Sequence, residues 1–80
     1  MRIEENRVYK IYFKWSRLRP VVARSYDKFE VSKIPGYRFS ILKGNLKFKF
    51  SIDLLECKDG FFTPDGAEVL KIEELLEYAL

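Results

Sequence analysis

Histidine and glutamine are absent from the 80 residues, cysteine occurs once, at Cys57, and asparagine only at Asn6 and Asn45. Without histidine, neither a Ser-His-Asp nor a Cys-His nucleophilic pair can be assembled, and the side chain most used for proton transfer near neutral pH is missing. Zinc sites built on histidine are excluded on the same ground. One cysteine allows no internal disulfide and suits a reducing, cytoplasmic setting. No G-x-G-x-x-G or G-x-x-x-x-G-K pattern is present, so no phosphate-cradling loop is recognisable. The longest stretch without a charged residue is five, Gly60–Pro64. That is far short of the ~20 apolar residues of a membrane span, and no basic, then apolar, leader opens the chain. These absences lead us to expect a non-enzymatic domain without cofactor or metal and without a membrane partner.

What is present is a chain with 48% hydrophobic and 16% aromatic residues, enough for one compact domain over 1–80. A chain this short buries only about 60% of the surface its unfolded form exposes, so the core is small. Few thermolabile residues beside many Lys and Glu make a composition of the hyperthermophile kind. The net charge of +3 conceals an uneven distribution: residues 1–50 hold 13 Lys+Arg and 4 Asp+Glu, residues 51–80 hold 2 and 8. A basic front and an acidic tail point to an anionic partner, or else to two halves that neutralise one another in the fold.

Alternation of apolar and polar residues from Arg7 to Arg17 predicts a first strand, with Tyr9, Ile11, Phe13 and Trp15 on the dry face. Val21–Tyr26 follows Pro20 as a second strand. A short pairing at Phe29–Val31 precedes a turn at Pro35-Gly36. Gly44-Asn45 then reads as a two-residue hairpin loop between Tyr37–Lys43 and Leu46–Asp53. In that register Tyr37 meets Ile52, Phe39 meets Phe50 and Ile41 meets Phe48, while Arg38, Ser40, Lys47, Lys49 and Ser51 share the wet face. Lys58-Asp59-Gly60 predicts another tight turn, between Leu54–Cys57 and Phe61–Thr63.

Thr63 suits a helix N-cap, with Pro64 at the first helical position and Asp65 near the positive end of the dipole. Val69, Ile72, Leu76 and Ala79 then follow the spacing of one helical face. Gly66 weakens a long helix, so the alternative is a strand over Glu68–Ile72 with a short helix only from Glu73. The longer helix is preferred because a sheet with one apolar face needs a cover. The expected fold is therefore α+β, mainly β: a small curved antiparallel sheet or partial barrel of about 4–6 strands covered by one C-terminal helix. In element order and charge alone, this outline resembles the small basic chromatin proteins of hyperthermophilic archaea and chromo-type barrels. No residue motif carries the resemblance.

Lys10, Tyr12 and Lys14 on the first strand, with Arg38, Lys47 and Lys49 on the hairpin, point away from the expected core. Together they make a cationic face that can meet phosphates and release counterions, while Tyr12 stacks on a base. Arg17, Arg19 and Arg24 extend it. The alternative is a solvated face whose lysines protect strand edges. Tyr9, Phe13, Trp15, Phe39, Phe48 and Phe50 are assigned to the core rather than to a stacking platform. Glu56-Cys57-Lys58 has the Glu-x-Lys form of a restriction-endonuclease-like metal site, but Asp53 is too close to serve as the upstream acid, leaving only Asp27. Asp53, Glu56, Asp59 and Asp65 lack the order of a calcium loop and read as a solvated acidic rim. Cys57, with no base beside it, reads as structural.

Two functions follow. The first is a small basic domain that binds the DNA or RNA backbone through Lys10, Lys14, Arg38, Lys47 and Lys49, aided by Tyr12, Arg17 and Arg19, with little sequence selectivity. The second is a protein-interaction module or inhibitor-like subunit, a homodimer included, that acts through Glu73, Glu74, Glu77 and Leu80 of an acidic amphipathic helix.

Overall fold

Short alternating segments separated by turns fold here as six antiparallel strands: β1 (Val8–Phe13), β2 (Val21–Val31), β3 (Ile34–Lys43), β4 (Ser51–Cys57), β5 (Gly60–Phe62) and β6 (Val69–Glu74). The computed structural model describes residues 2–44 and 50–78. The strands lie in the order β5-β4-β3-β2-β1-β6. β6 leaves β5 and returns to β1, and a bridge between Phe62 and Glu68 joins the two ends of the sheet. The wall therefore curls round on itself, so one face of every strand turns inward.

That inner face carries Tyr9, Ile11 and Phe13 of β1, Val21 and Ala23 of β2, Phe39 of β3, Ile52 and Leu54 of β4, and Val69 of β6. Tyr9 and Phe39, both fully buried, meet edge to face with centroids 6.1 Å apart at 88°, a favoured aromatic geometry. Two residues outside the strands complete the packing. Ile3 is buried in the N-terminal segment, which the Tyr9 hydroxyl (accepting from Glu4 N–H at 2.9 Å) and the buried Ser25 hydroxyl (donating to the Glu4 carbonyl) tie down. Burial raises the Tyr9 pKa above its ordinary value. Leu18, in the connection between β1 and β2, is buried as well.

The expected C-terminal helix is absent. Thr63-Pro64-Asp65-Gly66 is a turn, with Gly66 at φ 97°, a conformation that costs glycine nothing. Thr63 N–H donates to the Ala67 carbonyl (2.9 Å), Gly66 N–H donates to the Thr63 carbonyl (2.9 Å), and Thr63 Oγ1 accepts from Ala67 N–H (2.8 Å). The Thr, Pro and Asp that suit a helix start suit a tight turn equally well. The following segment pairs with β1 from Tyr9–Glu74 to Tyr12–Lys71, and only Leu76–Tyr78 is helical, as one 3₁₀ turn. A bulge opposite Tyr12-Phe13 inserts one extra residue into β6. Val69 and Ile72, three apart, consequently both join the core, and strand residues acquire a spacing that reads as helical. Leu70 and Leu76 are exposed, and Ala79 lies outside the described residues. The sheet covers its own apolar face. Without the helix, the element order behind the resemblance to small chromatin proteins is lost too.

Other local expectations shift. β1 stops at Phe13, short of Arg17. β2 runs on to Val31, with a bulge between Ser25 and Asp27. The chain reverses at Ser32-Lys33 (φ 49° and 69°) rather than at Pro35-Gly36, the paired positive φ angles of a type I′ hairpin. β3 and β4 pair with Phe39 opposite Ile52 and Tyr37 opposite Leu54, two residues from the expected register. A slip of two keeps every side chain on its face, and this register sets Arg38 opposite Asp53. Phe50 is exposed rather than buried, and Phe48 lies outside the described residues. The tight turn between β4 and β5 is seen, with Cys57 opposite Gly60.

Candidate nucleic-acid interface

The wet side of β1, β2 and β3 is set by their register. Lys10 of β1 stands opposite Val22 of β2, which stands opposite Lys43 of β3. Two strand spacings separate the lysine backbones, roughly 10 Å. Simple alternation would put Lys43 on the dry side with Phe39 and Ile41. A bulge between Val22 and Ala23, with Leu42 as the extra residue on β3, brings Lys43 to Val22 instead, a common use of a bulge. Arg19 and Pro20 enter from the β1–β2 connection. There Leu18 N–H donates to the Trp15 carbonyl (3.0 Å) and the Leu18 side chain is held in the core.

Lys10, Arg19, Pro20, Val22, Lys43 and Gly44 line a cleft of about 260 Å³. Gly44 is at φ 139°, and a Cβ there would lie 2.8 Å from the Val21 Cα and 3.0 Å from the Pro20 carbonyl oxygen. Only glycine lets β3 end so close to the start of β2. Among the described residues, no carboxylate lies within ion-pair distance of Lys10, Arg19 or Lys43. Three cations therefore converge on a concave, partly apolar surface without an ion pair among the described residues, Lys10 lying over the Tyr12 ring.

The rest of the expected cationic face is divided and neutralised. Lys14 pairs with Glu68 across β1 and the start of β6. Arg38 pairs with Asp53 at 3.1 Å and faces Asp27 at 3.9 Å, its guanidinium 4.9 Å from the Phe29 ring. The hydrogen bond that Arg38 donates to Asp53, then the charge of Asp53, raises the Arg38 pKa. Arg7 pairs with Glu74 at 2.8 Å, with a similar upward shift caused first by that hydrogen bond. Tyr12 has Lys71 Nζ 4.7 Å and Lys10 Nζ 5.2 Å from its ring centre, and its hydroxyl donates to Glu73 at 3.2 Å. Arg17 is exposed on the β1–β2 connection, and Arg24 is half-buried on β2 opposite Ser40. Lys47 and Lys49 lie outside the described residues. Of the expected phosphate-binding set, the structure thus brings Lys10 and Arg19 together, separates Lys14 and Arg38 from them, and adds Lys43.

The acidic residues sort in the same way. Glu73 and Glu74 belong to β6, not to a helix, and are engaged by Tyr12 and Arg7. Glu77 is exposed on the 3₁₀ turn, and Leu80 lies outside the described residues. The helix-borne docking surface is therefore not formed. Asp27 and Asp53 do approach one another, but around Arg38, which fills the position a metal would need. Glu56 accepts the Tyr37 hydroxyl at 2.7 Å; burial, then that bond, pushes the Tyr37 pKa up to about 12. No group of three or more metal-ligating side chains is found among the described residues.

Compared with known protein families, curated proteins and solved structures, the chain matches none of them. Among the described residues, no helix is long and apolar enough to cross a membrane.

Proposed function

We propose that this protein is a non-enzymatic, cytoplasmic nucleic-acid-binding domain that seats backbone phosphate in the cleft of Lys10, Arg19 and Lys43. The observation that supports the reading most strongly is the contrast in pairing. Lys14 and Arg38 are matched by carboxylates, whereas the three cleft cations have none among the described residues. Charge left unpaired at a concave surface repels itself until an anion arrives, and a phosphate chain that displaces its own counterions is favoured in that place. Arg17, exposed beside the cleft, extends the attraction. The acidic tail contributes by order rather than by contact with a ligand: Glu68 and Glu74 pair with Lys14 and Arg7, while Glu73, opposite Lys10, accepts the Tyr12 hydroxyl. Such contacts carry no base information, so binding is of low sequence selectivity.

Fluorescence anisotropy of a labelled oligonucleotide across a salt series tests the proposal. Binding is expected to weaken with salt on a log-log slope of about −2 to −3, the value for three neutralised phosphates. Lys10→Ala, Arg19→Ala and Lys43→Ala should each reduce the slope by about 1. Absence of binding at low salt, or a slope indifferent to all three substitutions, would refute it.

A further inference from the structure

Trp15 and Phe50 alternate with polar neighbours as core residues do, yet Trp15 is 52% and Phe50 is 85% exposed. The topology places both rings at one end of the sheet, the end that holds the cleft. Trp15 lies in the β1–β2 connection that also supplies Arg19. Phe50 directly precedes β4, and its carbonyl accepts from Ile41 N–H (2.8 Å), two residues before Lys43. The Trp15 backbone is fixed by its bond from Leu18, whose side chain is packed in the core. Two large exposed rings at the end of the sheet that carries the cation cleft are the kind of surface on which bases stack.

We infer that the nucleic acid taken by this cleft is single-stranded, with its bases stacked on Trp15 and Phe50 while its phosphates reach Lys10, Arg19 and Lys43. The inference rests on the phosphate-binding reading above and deepens it. Base faces are free to stack only when strands are apart; a duplex offers its edges and its backbone. Reading a duplex groove calls for a helix or a two-stranded ribbon. The longest helical segment among the described residues is the 3₁₀ turn at Leu76–Tyr78. The ribbon formed by β2 and β3 carries Asp27 and Glu30 near its tip beside Lys28 and Lys33, so it has no surplus of positive charge. The cation cleft and the two exposed aromatic residues instead share one end of the sheet.

Trp15 is the sole tryptophan, so its emission reports on this site alone. The test compares oligo-dT with a hairpin duplex of equal phosphate count, by Trp15 fluorescence and by anisotropy of the labelled oligonucleotides. Oligo-dT is expected to quench Trp15 and to bind about tenfold or more tightly than the duplex. Trp15→Ala and Phe50→Ala should each lower single-strand affinity by about 5- to 100-fold, leaving duplex affinity and salt slope unchanged. Trp15→Phe should retain most of the affinity, which separates loss of a ring from loss of fold; circular dichroism monitors the fold of each variant. Equal affinity for duplex and single strand without quenching would overturn the stacking inference and leave the phosphate cleft standing. Failure to bind either oligonucleotide would overturn both. A blue shift of Trp15 on phosphatidylglycerol vesicles, with no response to oligo-dT, would also overturn the inference and make this end a membrane-contact surface.

Discussion

Two sets of cations share this small sheet and differ in one respect. Arg7, Lys14 and Arg38 form ion pairs with Glu74, Glu68 and Asp53. Lys10, Arg19 and Lys43 gather in a cleft and make no ion pair among the described residues, although the β1–β6 register sets Glu73 opposite Lys10. By composition the sets are alike. They differ in whether a carboxylate comes within ion-pair distance, and that difference, rather than the count of lysines and arginines, locates a surface able to hold an anion. The paired set also gives part of the acidic tail its place: Glu68 and Glu74 pair with Lys14 and Arg7 where the chain returns to β1, and Asp53 of β4 pairs with Arg38.

The comparison can be broken most bluntly through the core that both sets rest on. Phe39 is fully buried against Tyr9, so Phe39→Ala should cost about 3–5 kcal/mol in urea unfolding. In a domain of this size that leaves much of the chain unfolded, and binding should fall with the folded fraction. Gly44→Ala acts on the cleft side alone. Its Cβ would press on Val21 and the Pro20 carbonyl at a φ of 139°, and a loss of more than about 1 kcal/mol is expected, together with weakened oligonucleotide binding. Arg38→Ala should lower the urea midpoint by leaving Asp27 and Asp53 without their shared cation, whereas Lys43→Ala should leave it nearly unchanged because it breaks no ion pair. Equal costs for these two would erase the distinction between the sets.

The smallest effect is a pH dependence. Tyr37, its hydroxyl on Glu56, has its pKa raised from 10.0 to about 12. The folded state thus favours the neutral phenol. Its contribution to stability is complete below pH 10 and is lost as the pH climbs towards 12. Ultraviolet titration should show Tyr37 ionising near pH 12, and Glu56→Gln should lower its midpoint.

Much of the inner face was legible from alternation alone: Tyr9, Ile11 and Phe13, then Phe39, then Ile52 fall where period-two reading puts them. What escaped depends on bulges and register, which leave little mark on a single sequence. The bulge in β6 made Val69 and Ile72 look helical, and the Thr63-Pro64-Asp65-Gly66 turn supplied a convincing false cap. A two-residue slip between β3 and β4 preserves both faces, so hydrophobic sorting cannot detect it. Lys43 was hidden because its parity is that of the core residues until Leu42 bulges. A lysine interrupting an apolar parity just before a glycine was the available clue. Trp15 and Phe50 continue the alternation past the ends of their strands, where the pattern has no stop signal but the ladder does.

The most direct test sets the two cation sets against each other at equal net charge. Arg19→Glu with Lys43→Glu, and Lys14→Glu with Arg38→Glu, change the charge of the protein identically. Oligonucleotide affinity should drop by about 100-fold in the first double variant, near tenfold for each phosphate contact reversed, and by only a few-fold in the second. Equal losses in both, with each variant folded, would show that overall charge governs binding and would contradict the assignment of the cleft.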